Sequence, residues 1–188
     1  MRAFSLLLLV LASAALQGCF PVVAVGVGTG VMMAQDRRTS GAYVEDQAIE
    51  SKAFDQIGKQ FKNDAHISIT SFNRNVLISG EVPNEAIKTE IGRLVAGIEN
   101  VRSINNELTV SGNTSMTTRS SDSMITSEIK MRFMGDKRFN AEHVKVVTEN
   151  GTVFLMGMVK RAEADAATEI ARTTGGVQRV VKLFEYLD

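Results

Sequence analysis

The chain has 188 residues, and its 21 Lys and Arg balance its 21 Asp and Glu. That neutrality gives no whole-chain basic surface of the kind that holds nucleic acid. The single cysteine, Cys19, excludes an intramolecular disulfide framework and a multi-thiolate metal site, and 44% hydrophobic content suits one domain or two small ones.

The chain opens on Met1-Arg2, a short positive end, followed by the apolar run LLLLVLASAAL at 6–16. A transmembrane helix needs about 20 apolar residues, so the run fits the core of a secretory signal. It ends at Leu16-Gln17-Gly18-Cys19. These residues resemble the lipobox of bacterial lipoproteins, with Gln17 bulkier than the usual occupant. The resemblance implies a signal peptide at 1–18, cleavage before Cys19, and lipidation of that residue. Phe20, and not Asp, follows Cys19; in the lipoprotein families this resembles, an Asp there retains the protein in the inner membrane, so the resemblance implies the outer membrane. Residues 19–43 then read as a Gly/Val-rich tether. Its G-V-G-T-G does not sit between a strand and a helix, as a phosphate-cradling loop must.

The remainder repeats itself. Asn75–Val82 (NVLISGEV) matches Thr152–Val159 (TVFLMGMV), Thr89–Arg93 (TEIGR) matches Thr168–Arg172 (TEIAR), and Gly97-Ile98-x-x-Val101 matches Gly176-Val177-x-x-Val180. Aligned this way, the second copy gains two residues between strand and helix. The copies span 44–110 and 122–188, joined by a polar linker at 111–121. Each copy opens on a helix. Ile49, Ala53 and Ile57 recur every four residues in the first, and Ile125, Ile129 and Phe133 in the second. A hairpin follows, turning at 71–75 and at Glu149-Asn150-Gly151, where Asn-Gly is a strong signal. His66 and His143 stand ahead of the paired strands and are expected at strand edges. Gly80 and Gly157 are expected to permit close helix packing or a backbone turn. Second helices at 84–96 and 161–174 run to Gly97 and Gly175-Gly176, where left-handed caps want glycine. Last strands are expected at 104–110 and 180–186.

The αββαβ order, the V-x-[LI]-x-G strand and the G-[IV]-x-x-V before the last strand resemble a BON domain. Two such domains after a lipobox are similar to the dual-BON outer-membrane lipoproteins of Gram-negative bacteria. The resemblance implies an α+β fold of two tandem BON domains, each with two helices packed on a three-stranded mixed sheet. It also implies a non-enzymatic, lipid-anchored protein facing the periplasm, without cofactor or metal. Such a protein binds anionic phospholipid through its second BON domain, supports outer-membrane integrity, and is in some cases enriched at the division site.

The helix read at 122–135 carries more apolar residues than one face needs. At about 100° per residue, with Met124 at zero, Ile125, Ile129 and Phe133 cluster between about 100° and 180°. Met124, Met131 and Met134 form a second stripe almost opposite, together with Ser127 and bordered by Lys130 and Lys137. Met124 stands where a well-known family member has Trp, a residue that favours the membrane interface. The first copy's helix carries Ala48, Ser51 and Asp55 in the corresponding place. The first copy (44–112) has 7 basic and 10 acidic residues, and the second (121–188) has 10 of each. The second copy therefore meets an anionic surface with less repulsion. Met124, Ser127, Lys130, Met131, Met134 and Lys137 are the expected phospholipid-binding residues. The alternatives are that the stripe packs on the first domain or a second copy, or that the protein is a scaffold for an envelope protein or peptidoglycan.

Overall fold

The computed structural model describes residues 36–61, 66–112 and 115–188. The expected signal peptide, Cys19 and the expected tether up to residue 35 lie outside the described residues.

The first copy runs α1 (Ser40–Gln60), β1 (His66–Phe72), β2 (Asn75–Val82), α2 (Glu85–Ala96), β3 (Ser103–Asn106) and β4 (Thr109–Val110). The second runs α3 (Met116–Gly135), a 3-10 turn (Ala141–His143), β5 (Val144–Glu149), β6 (Thr152–Val159), α4 (Arg161–Arg172) and β7 (Arg179–Tyr186). In each copy a hairpin supplies two antiparallel strands, and the crossover through the second helix returns the last strand parallel to the middle one. The fold is therefore α+β with two mixed sheets, as the pattern predicts.

The middle strands are apolar on both faces, and each face has its own partner. Val76, Ile78 and Val82 pack with Ile49, Ala53 and Ile57 of α1 and with Ile91 and Val95 of α2. Val153, Leu155 and Val159 pack the same way with Ile125, Ile129 and Phe133 of α3 and with the alanines of α4. The alternate residues turn the other way. Phe72, Leu77, Phe154 and Met156 form a third core, flanked by Val147, Met158, Val181 and Leu183. The two sheets thus bury their helix-free faces against each other, and the helices lie on the outsides. Strands covered on both faces read as continuous apolar runs, which explains the VLI and VFLM of the sequence. Ion pairs ring this junction: Lys145 Nζ to Glu50 Oε1 at 3.1 Å, Arg102 to Glu185 at 3.1 Å and Arg179 to Glu107 at 3.4 Å.

Each hairpin turn is tied down by a buried aspartate from the first helix of its copy. Asp46 accepts from the backbone N–H of Asn73 (2.8 Å) and Arg74 (2.7 Å) and from the Ser71 hydroxyl (2.6 Å). Asp122 accepts from the N–H of Asn150 (2.8 Å) and Gly151 (2.9 Å). Both turns place two consecutive residues at positive φ, Asn73 and Arg74 in one and Asn150 and Gly151 in the other. That is the primed turn whose twist matches a hairpin, and it aims two N–H groups at one carboxylate.

Gly80 and Gly157 are required by a close backbone approach from the hairpin partner, and not by a helix. A Cβ on Gly80 would lie 1.9 Å from the His66 carbonyl oxygen, and one on Gly157 would lie 2.2 Å from that of His143. Gly80 also sits at φ +117°. The parallel register places Glu107 and Leu108 beside this distortion, and there the last strand of the first copy breaks into β3 and β4. Leu108 turns inward at the break and is buried.

Three sequence expectations change. The helix read at 122–135 begins at Met116, capped by Ser115, whose side chain accepts from Thr118 N–H; it extends into the stretch read as linker. The repeat register also slips. Val76 pairs with Ile104 and Val153 with Val180, so Ile104 and Val180 are equivalent at an offset of 76 residues. The second copy consequently has one residue fewer between strand and helix, not two more. The TEI[GA]R match is displaced by three residues, close to one helical turn, which preserves the apolar face. Finally, Gly97 caps α2 in the right-handed region (φ −80°); the left-handed positions are Asn100 and Gly176.

Candidate functional site

α3 is the element with two apolar faces. Ile125, Ile129 and Phe133 are buried against the sheet and α4. Met124, Met131 and Met134 project outward, 71%, 61% and 71% exposed, and Met116, brought in by the longer helix, is 84% exposed. At about 100° per residue Met116 falls in line with Met134, so the stripe runs the whole of a helix about 30 Å long. The sheet–sheet junction uses other residues, and the stripe does not pack on the first domain.

The helix is held rigidly behind this face. Asp122 fixes its middle to the hairpin turn. Near its C-terminal end Arg132 donates to the Ile170 carbonyl (2.9 Å) and to the hydroxyls of Thr174 (2.6 Å) and Thr173 (2.9 Å). It thereby joins the Thr173 and Thr174 hydroxyls, which also donate to the Ile170 carbonyl, and ties α3 to the last turn of α4. Phe133 stacks edge-on against Phe139 at 5.0 Å. A face presented from so fixed a helix needs little ordering when it meets a surface.

Its polarity is low in the middle. The Ser127 hydroxyl donates to the Ser123 carbonyl (2.9 Å) and the Ser123 hydroxyl to the Arg119 carbonyl (3.0 Å). Both hydroxyls are satisfied within the helix, so Ser127 acts as a small, nearly neutral element of the stripe.

The cations around it divide into two kinds. Arg132 is spent on α4. Arg138 pairs with Asp136 (2.7 Å) and Glu169 (2.8 Å), and these carboxylates push its pKa upward. Lys130 and Lys137 are exposed and enter none of the ion pairs among the described residues. These two, bordering the methionines, are the charges left for an external anion. One acid, the exposed Glu128, borders the other edge of the stripe.

The first copy is not bare of exposed apolar residues. Phe54 (75% exposed) and Val44 (63%) lie on α1. They point in directions about 80° apart around the helix and make no stripe. Phe54 instead lines a shallow groove of about 320 Å³ with Ile57, Ile67, Ile69 and Gln47, between α1 and the edge strand β1. Among the described residues, no helix is long and apolar enough to cross a membrane.

Sequence reasoning missed Met116, although Ser115-x-x-Thr118 is a readable start signal. It also missed Asp46 and Asp122, which look like ordinary surface acids of an amphipathic helix. His66, expected at a strand edge, does start edge strand β1, but it meets Glu149 of the second copy at 3.7 Å.

The BON-domain family model matches residues 45–112 and 121–188. The chain belongs to the BON-domain family. It is 39% identical over 175 residues to the outer membrane lipoprotein DolP of Haemophilus influenzae, covering 92% of this chain and 91% of that one. It is 36% identical to a 21 kDa hemolysin of Actinobacillus pleuropneumoniae, over 81% and 79% of the two chains. It is 31% identical to osmotically-inducible protein Y of Escherichia coli, over 74% and 72%. With two BON domains and that likeness to DolP, the chain is a dual-BON, DolP-like outer-membrane lipoprotein. α3 is the first helix of its second BON domain, and the DolP relative is named as a lipoprotein, not as an enzyme.

Proposed function

We propose that this lipoprotein binds anionic phospholipid through the outer face of α3 in its second BON domain, and that it supports outer-membrane integrity in this way without catalysis. Lipidation at Cys19, on the far side of the tether, anchors it to the inner leaflet of the outer membrane with its domains in the periplasm. The carrying observation is the methionine stripe, 61–84% exposed on a helix fixed from behind and flanked by Lys130 and Lys137. Unbranched, polarizable side chains suit an irregular acyl surface. Burial of each contributes about 1.5–3 kcal/mol before ordering costs, and each nearby Lys adds about 1 kcal/mol at an anionic leaflet. These terms support a weak, reversible contact, which suffices when an acyl anchor keeps the domain close. Enrichment at the division site follows in this reading if anionic lipid is concentrated there.

Co-sedimentation with vesicles tests the proposal. Met124→Asp and Met131→Asp should each weaken binding to anionic vesicles at least tenfold, since about 1.4 kcal/mol is a factor of ten. Unchanged binding in both would sink it. The groove beside Phe54, on an open strand edge, favours a second reading in which an envelope protein docks on the first domain. Recovery of one stoichiometric partner, lost in Phe54→Asp and accompanied by no vesicle binding, would support that reading instead.

A further inference from the structure

The geometry points to a binding site for a divalent first-row metal ion of the zinc type at the junction of the two BON domains, formed by His66, Glu81 and Glu149. His66 starts β1, Glu81 is its cross-strand partner in β2, and Glu149 ends β5 of the other domain. One donor atom from each lies within 4.8 Å of the other two, and His66 Nε2 stands 3.7 Å from Glu149 Oε1. Zinc bonds to imidazole nitrogen and carboxylate oxygen are about 2.0–2.2 Å long, which puts neighbouring donors about 3–3.5 Å apart. Small side-chain rotations close the set. One imidazole with two carboxylates is a borderline donor set, suited to zinc, manganese or iron more than to calcium or magnesium, which take all-oxygen shells.

The charge arrangement points the same way. Glu81 is 2% exposed, and the side chain of Glu149 is 13% exposed. The carboxylates of Glu81 and Asp122 lie close enough to Glu149 to repel it. Arg119, on α3, also faces the cluster and offsets part of the carboxylate repulsion through space. The side chain of His66, 30% exposed, leaves a way in.

The repeat supplies an internal control. His143 and Met158 occupy the places of His66 and Glu81 in the second domain, so the BON fold does not require a buried acid at that strand position. Donors from two domains that converge this closely offer one ion a ligand from each side of the junction. Such an ion would fasten β1 and β2 to β5, and so fix the first domain relative to the helix that carries the methionines.

Isothermal titration of zinc into the full-length protein in detergent, after stripping with chelator, tests this. One ion per chain is expected, with affinity at least tenfold weaker in His66→Ala and in Glu149→Gln and unchanged in His143→Ala, which removes the chain's other histidine. Zinc should raise the thermal midpoint of the wild type and of His143→Ala, and leave the first two variants unmoved. X-ray absorption should report one nitrogen among oxygen donors. Absence of binding, equal affinity in all four proteins, or loss only in His143→Ala would overturn the assignment. Circular dichroism establishes that each variant is folded, and Glu81→Gln replaces any that is not.

Discussion

Replacing Asp122 by Ala should loosen the second domain. The carboxylate is 5% exposed and takes two backbone N–H groups of the Asn150–Gly151 turn at 2.8 and 2.9 Å. A hydrogen bond to a charged group contributes about 1.5–3 kcal/mol. Gly151 is buried, so its N–H has no ready water to replace the acceptor, whereas Asn150 is exposed and its N–H can be rehydrated. Relief of the repulsion that Asp122 exerts on Glu149 offsets part of the loss. The net cost is about 3 kcal/mol, which for a chain of this size lowers the thermal midpoint by about 6–12 °C. Asp122→Asn keeps one acceptor and should lose about half as much. Circular dichroism melts of the full-length protein in detergent give both numbers. An Ala variant melting within about 1 °C of the wild type would refute the claim that this carboxylate holds the turn.

Gly157→Ala should be more severe than an ordinary strand substitution, because the new Cβ would lie 2.2 Å from the His143 carbonyl oxygen. Separating β5 from β6 should cost about 3 kcal/mol or more, visible as a fall in the urea midpoint; a wild-type midpoint contradicts the close approach. Arg37 clamps Glu163 with two bonds of 2.6 and 2.8 Å and holds its pKa down at about 2. A depressed carboxylate stabilises the fold above its unfolded value and loses that contribution as pH falls toward the folded value. Wild type should therefore exceed Arg37→Ala by about 1 kcal/mol at pH 7, after allowance for solvent screening. The gap should close between about pH 4.5 and 2, and denaturation curves showing a gap independent of pH refute this. Raising salt from 50 to 500 mM should weaken vesicle binding through Lys130 and Lys137 without abolishing it, as the Debye length shrinks; complete loss would mean the methionines contribute nothing.

Most of the fold was legible because its signals are local. The four-residue spacing of Ile49, Ala53 and Ile57, the Asn-Gly turn and the double-sided apolar strands each record a burial that a sequence can carry. The outward stripe was legible for the same reason, since helix geometry alone separates Met124 from Ile125. What failed depended on distance or on near-symmetry. A slip of three residues keeps a helix face intact, so TEIGR and TEIAR aligned one turn out of place. Asp46 and Asp122 look like solvent-facing acids until the hairpin folds over them. The sheet-on-sheet junction was hidden because Leu77 and Phe154 fit a strand buried against anything. His66, Glu81 and Glu149 come together only after two domains dock.

Tryptophan is absent from the chain, so Met124→Trp places a single fluorophore at the centre of the stripe. Its emission, measured with vesicles containing anionic lipid and with vesicles whose acyl chains carry bromine, tests the membrane contact directly. If the outer face of α3 enters the acyl region, the emission shifts to the blue on anionic vesicles and is quenched by the brominated chains. A Trp that keeps its water-exposed emission and escapes quenching, while the protein stays on the vesicle, would contradict the account.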